Sequence, residues 1–261
     1  IWSENFTSTV PVNINVKWGS AASFGILASA SSKSNYASFN GAPDKTLYYA
    51  SAMANALAGK DLDPANPEIE ISITSNAPWY YGIDGKCPAR SYDLVSVILH
   101  EMGHGLGFMS GSYYDSGSGF GRVDLPTPFD AYAQLPDGRR LADMPSPSIE
   151  TGKALTSNLV WSGEIAVKSN GGVKPKLYTP AIYEPGSSVS HLDEDLFSAN
   201  MITGDELSIF PDQTQFIKRL KASGNDRAIL NIPGTSIEIS PSSVVVTQPM
   251  SDELVQRPLV L

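Results

Sequence analysis

Two of the three histidines in the chain lie in the run His100-Glu101-Met102-Gly103-His104. Residues four apart on a helix share one face, a turn from each other. Both imidazoles can then reach a single Zn²⁺, and Glu101 stands beside the water that the metal activates, as general base. The residues before the run, Asp93 to Leu99, read as a buried helix, with Ser91 as N-cap and Asp93 complementing the helix dipole in the first turn. Gly103, Gly105 and Gly107 close the run; they lack the register of a dinucleotide fingerprint and end a helix instead of opening one. The chemistry these residue types and spacings point to is that of a zinc hydrolase. The competing reading is a helix with two structural histidines and one solvated Glu.

The elements that must position this run are legible mainly in the first part of the chain. Val10 to Trp18 alternates apolar and polar residues, as do Ile69, Ile71 and Ile73, the period of half-buried strands. Ser23 to Ala30 reads as another strand. Thr46 to Ala58 places Leu47, Ala50, Met53, Ala54 and Leu57 at helical spacing and stops at Gly59. Residues 1–108 therefore form an N-terminal lobe of small twisted sheet and two helices, the second carrying the zinc motif. Residues 109–225 show little sustained period, apart from a helix-like pattern over Gln213 to Ala222, and form a second, irregular lobe. Residues 226–261 read as a β-rich extension, with strands at Ser236–Ser240 and Val244–Thr247.

Composition sets the outer bounds. The 261 residues carry a net charge of −9 with pI near 4.8, which argues against a nucleic-acid partner. No apolar stretch approaches a membrane span. Cys87 is the single cysteine, so no intrachain disulfide can form. The Gly, Pro, Ser and Asn content suits a secreted or cell-surface protein. The start at Ile1-Trp2-Ser3 lacks a basic n-region, so the expectation is a chain from which any leader has been removed. The clusters Asp61-Leu62-Asp63 and Asp193-Glu194-Asp195 have the oxygen chemistry of Ca²⁺ sites, but neither matches an EF-hand loop, and solvated surface is the simpler account.

A catalytic zinc keeps three protein ligands and one open position. Two come from the helix, and the one remaining histidine is His191. Asp130 is a carboxylate alternative, whereas neither Glu150 nor Glu164 sits in a convincing helix.

The chain resembles the metzincin metallopeptidases, whose pattern H-E-x-x-H-x-x-G-x-x-H matches up to Gly107 and then has Ser110 where the third histidine belongs. With Asn200-Met201-Ile202-Thr203-Gly204 placed after His191 like a Met-turn, the set is similar to the leishmanolysin branch and to related secreted bacterial peptidases, in which a long insertion precedes the third ligand. The resemblance spans roughly Val10 to Gly204. It implies an α+β, two-lobed zincin fold, with a small twisted sheet and active-site helix followed by an irregular lobe. His100, His104 and His191 would be ligands of one catalytic Zn²⁺, Glu101 the base, Gly107 the turn glycine and Met201 the Met-turn methionine. The expected function is a zinc metalloendopeptidase, secreted or at a bacterial cell surface, acting on a protein or peptide. The alternatives are a catalytically silent zinc-bearing adhesin and a zinc hydrolase of a non-peptide bond. Tyr178 and Tyr183 are candidates for stabilising an oxyanion. Oligomeric state is not readable from the sequence.

Overall fold

The computed structural model describes residues 2, 7–20, 26–84, 86–193, 228–232, 235–240, 243–247 and 258–260. It is a mixed α/β chain with small sheets. The elements that matter for the site are β1 (Asn13–Gly19), β2 (Ala28–Ser32), β3 (Asn35–Tyr36), β4 (Tyr49–Ala50), α1 (Ser51–Ala58), β5 (Ile69–Thr74), β6 (Trp79–Tyr80), β7 (Tyr92–Asp93) and α2 (Leu94–Gly105). Further along lie β8 (Tyr113–Asp115), β9 (Phe120–Arg122), α3 (Pro128–Tyr132), β10 (Ala133–Gln134), α4 (Ile149–Leu155), β11 (Val160–Trp161) and α5 (Glu164–Ser169). Four strands close the chain: β12 (Ala228–Ile232), β13 (Thr235–Ser240), β14 (Ser243–Thr247) and β15 (Pro258–Val260).

The chain folds as two compact units, one comprising Ile1–Ser34, Ser51–Leu106 and Ser198–Leu261, the other Asn35–Ala50 and Gly107–Phe197. Residues 35–50 belong with the second unit, to which the Tyr48 N–H ties them by donating to the Pro126 carbonyl at 2.8 Å.

The first unit is built on a four-stranded sheet in the order β15-β1-β5-β2. β1 runs parallel to β5, with Ile14 opposite Ile69 and Trp18 opposite Ile73, and β2 runs antiparallel to β5. The alternation read from the sequence puts Ile69, Ile71 and Ile73 on the buried face, all at most 3% exposed. Helix α2 packs on β5 and β2, setting Leu94, Val97, Met102 and Leu106 against Ile14, Val16 and the β5 isoleucines. Each such aliphatic side chain stabilises the unit by roughly 1.5–3 kcal/mol on burial. Gly105 permits close approach of helix and sheet: a Cβ there would sit 2.3 Å from Ile69 Cγ2.

Three expectations are corrected here. Glu150 and Glu164, read as lying in no convincing helix, sit in the first turns of α4 and α5, the former capped by the Ser148 hydroxyl. The helix expected over Thr46 to Ala58 begins only at Ser51, because Tyr49 and Ala50 are committed to antiparallel pairing with Tyr36 and Asn35. The N-cap of α2 is Asp93, not Ser91: β7 pairs with β6 through Tyr92 and Asp93, so the helix cannot start earlier. The Asp93 carboxylate then accepts the Ser96 N–H at 2.7 Å.

The second unit has its own core of Phe129, Leu141, Leu155, Leu159, Leu177 and Val189, with Phe129 stacked on Trp161 at 5.7 Å between centroids. Its elements are short, and much of its order comes from side chains bonded to backbone. In the first unit, strands β12, β13 and β14 form an antiparallel meander. The helix-like stretch Gln213 to Ala222 lies outside the described residues. Among those described, no helix is long and apolar enough to cross a membrane.

Candidate metal centre

Helix α2 carries His100 and His104 one turn apart, with Nε2 atoms 2.9 Å from each other and rings at 86°. Two neutral imidazole lone pairs repel at that distance. Either a proton is shared between them or a cation lies where both point. The ligand atoms of His100, His104 and His191 all lie within 4.8 Å of one another, and this cluster could hold a metal ion. Among the described residues it is the one group of three or more His, Cys, Asp or Glu side chains arranged to do so.

Glu101, next in sequence to His100, is buried at 6% exposure. Loss of hydration raises its pKa to about 7. A carboxyl with that value exchanges its proton readily near neutrality. Trp2 rests on the same helix: its indole N–H donates to the Leu99 carbonyl at 3.0 Å, and a Cβ on Gly103 would lie 3.2 Å from its ring. The helix ends at Leu106, and Gly107 turns the chain at φ 117, a left-handed value that favours glycine.

His191 is held differently, by a loop. Its Nδ1 lies 2.8 Å from the Ser187 carbonyl oxygen. A carbonyl only accepts, so Nδ1 carries the proton and Nε2 carries the lone pair. This is the tautomer that a metal-ligating histidine needs. The backbone is fixed as well: the Tyr178 N–H donates to the His191 carbonyl at 2.8 Å, and the Val189 N–H to the Tyr178 carbonyl at 2.7 Å. Buried Val189 takes φ 70, a conformation that costs energy for a β-branched residue and that clusters at functional sites.

Asp130, the carboxylate alternative, is not in the cluster. It is fully buried, and its oxygens accept from the Ser110 hydroxyl at 2.5 Å, the Gly111 N–H at 2.9 Å and the Thr127 N–H at 2.8 Å. With Thr127 it forms the capping box of α3. Burial pushes its pKa up, against the pull of these donors. Ser110, at the position of the missing histidine, gives its N–H to Ser190 Oγ at 3.1 Å. Sequence reasoning missed Ser187 and Ser190, since nothing in their residue type marks them. The capping box, Thr127 with Asp130 three residues later, was missed as well, although its spacing is a sequence signature.

The other candidates among the described residues fall outside the cluster. Met201 lies outside the described residues. The Cys87 thiol contacts the Pro88 and Ser91 carbonyls. Asp61 accepts from Asn55 and from the Asp63 N–H within its own turn, and the second acidic run, beyond Asp193, lies outside the described residues. The Tyr183 hydroxyl donates to the Ser112 carbonyl at 3.5 Å, and burial raises its pKa.

No family model matches the chain, and no solved structure does. A stretch of 62 residues, 23% of the chain, is 37% identical to a putative Rieske 2Fe-2S iron-sulfur protein of Mycolicibacterium smegmatis, of whose length the chain spans 12%.

Proposed function

We propose that this chain is a zinc-dependent metalloendopeptidase that works at a secreted or cell-surface location, with His100, His104 and His191 as metal ligands. The observation that carries this reading is the three-imidazole cluster with buried Glu101 beside it. The donor set fits zinc. Four-coordinate zinc with ligands at 2.0–2.1 Å separates its nitrogens by about 3.3 Å. The helical pair, at 2.9 Å, lies close to that value, and the full set stays within 4.8 Å. When bound, the zinc supplies the acidity of the attacking water and polarises the scissile carbonyl. His191 is oriented for ligation by Ser187. Glu101 accepts the proton at its carboxylate and returns it to the departing amine, and its burial keeps bulk water from competing for that proton.

An iron–sulfur role borrowed from the partial match is disfavoured by donor chemistry. A Rieske cluster takes two cysteines and two histidines, and this sequence has Cys87 alone.

The test is digestion of a peptide library by the purified chain, with and without chelator, beside Glu101→Gln. The proposal expects cleavage that chelation abolishes and zinc restores. Glu101→Gln should keep its zinc and lose at least ~10²–10⁴-fold in rate, the usual contribution of a general base. Near-normal turnover in Glu101→Gln, or no cleavage by the zinc-loaded chain, would sink the proposal.

A further inference from the structure

We infer that Ser190 is the positioning residue for His191, and that Ser110 and Asp130 act through it as a buried brace; the inference rests on the metal-centre reading above. Three of the hydrogen bonds around His191 anchor it. Ser187 sets the ring, Tyr178 sets the backbone register, and the Ser110 N–H seizes the hydroxyl of the residue immediately before it, Ser190, at 3.1 Å. The first two are local to the loop and its neighbouring segment. The third reaches across eighty positions of sequence, to the residue six beyond His104.

That third anchor is only as firm as residues 109–112, which belong to no helix or strand. A fully buried carboxylate does the work of secondary structure there. Asp130 Oδ1 takes the Ser110 hydroxyl, while Oδ2 takes the N–H groups of Gly111 and Thr127 and lies 2.9 Å from the Thr127 hydroxyl. The Thr127 hydroxyl also lies 3.0 Å from the Met109 carbonyl, and Ser110 Oγ receives the Ser112 N–H at 3.1 Å. Both ends of the brace are buried, Ser190 at 6% and Asp130 at 0% exposure, so water cannot replace what either supplies. Ser110 thus holds the chain that presents the third ligand instead of binding metal itself. Partners that orient a ligand in this way typically affect metal affinity by ~10–100-fold.

The test compares Zn²⁺ affinity, by competition with a chromophoric chelator, and the visible spectrum of the Co²⁺-loaded protein across Ser190→Ala, Ser190→Thr, Asp130→Asn and Ser146→Ala. Ser146 accepts the Val123 N–H at 2.8 Å in the same unit, so its variant controls for general loosening. The brace predicts that Ser190→Ala loses ~10–100-fold in zinc affinity and alters the Co²⁺ spectrum. Asp130→Asn should lose less, Ser190→Thr should stay within a few-fold of wild type, and Ser146→Ala should not change. Wild-type affinity in Ser190→Ala, a loss no larger than in Ser146→Ala, or an equal loss in Ser190→Thr would overturn the brace while leaving the metal centre standing. A wild-type chain that takes up no zinc, or unchanged affinity in His191→Ala, would overturn both.

Discussion

The three histidines of the candidate metal centre sit on two kinds of scaffold. His100 and His104 are spaced by a twelve-residue helix packed on a sheet, so their separation follows from helical pitch. His191 has no such element, and its ring, register and approach are each set by a hydrogen bond. A helix fixes geometry through a repeating backbone and tolerates the loss of one contact. A loop distributes the same task over a few individual bonds, and each is exposed to mutation. The helical half should therefore yield mainly to changes in packing, and the loop half to the loss of single polar groups.

Removing a ligand outright is the largest perturbation and should strike both halves alike. His104→Ala and His191→Ala should each weaken zinc binding by on the order of 10²-fold, taking one ligand as about a quarter of the ~10–16 kcal/mol of a four-ligand zinc site. Isothermal titration in chelator-buffered zinc measures it, and a far smaller loss for His191→Ala would make the loop a bystander. Next in size is Gly105→Ala, whose new methyl meets Ile69. It should destabilise the first unit by ~1–3 kcal/mol in urea unfolding, and the metal-free protein should show the same loss, since packing is at fault and not ligation. Asp93→Ala removes the N-cap of the same helix, at a cost in the range ~0.5–2 kcal/mol. Burial raises the pKa of Asp93, a desolvation cost that offsets part of what the cap contributes, so the measured loss should fall in the lower half of the range.

The smallest effect concerns pH. Burial holds the pKa of Asp130 above its unfolded value of about 4. Between those two values the folded chain binds more protons than the unfolded one. The contribution of this group is therefore full below about pH 4 and declines as pH rises through its folded pKa. Urea midpoints of wild type and Asp130→Asn, followed upward from pH 4, should converge as the wild type loses this contribution. Parallel curves would mean that the carboxyl titrates as in the unfolded chain.

How far each half could be read in the sequence follows the same division. Strands β1 and β5 fall on the alternating runs and outlast each by one residue, Gly19 and Thr74, because a period of two is the period of a strand. The pairing of His100 with His104 was legible because four residues is the spacing of a helix face; Glu101, one residue on, was named by the motif and not by a shared face. The start of α1 was misplaced because Leu47 and Ala50 also satisfy helical spacing, and only the pairing of Tyr49 and Ala50 with residues 35–36 overrules it. Nothing periodic marks Ser187 or Ser190, whose roles depend on partners brought together by tertiary structure. Asp130 was readable as a carboxylate, but its use as a brace for Ser110 depends on a contact across twenty residues.

X-ray absorption at the metal edge of the zinc-loaded protein tests the central claim most directly. The account predicts one zinc with three imidazole nitrogens at ~2.0–2.1 Å and one further light-atom ligand. Loss of His191 should reduce the imidazole count to two. A sulfur shell near ~2.3 Å, or two imidazoles in the wild-type protein, would contradict it.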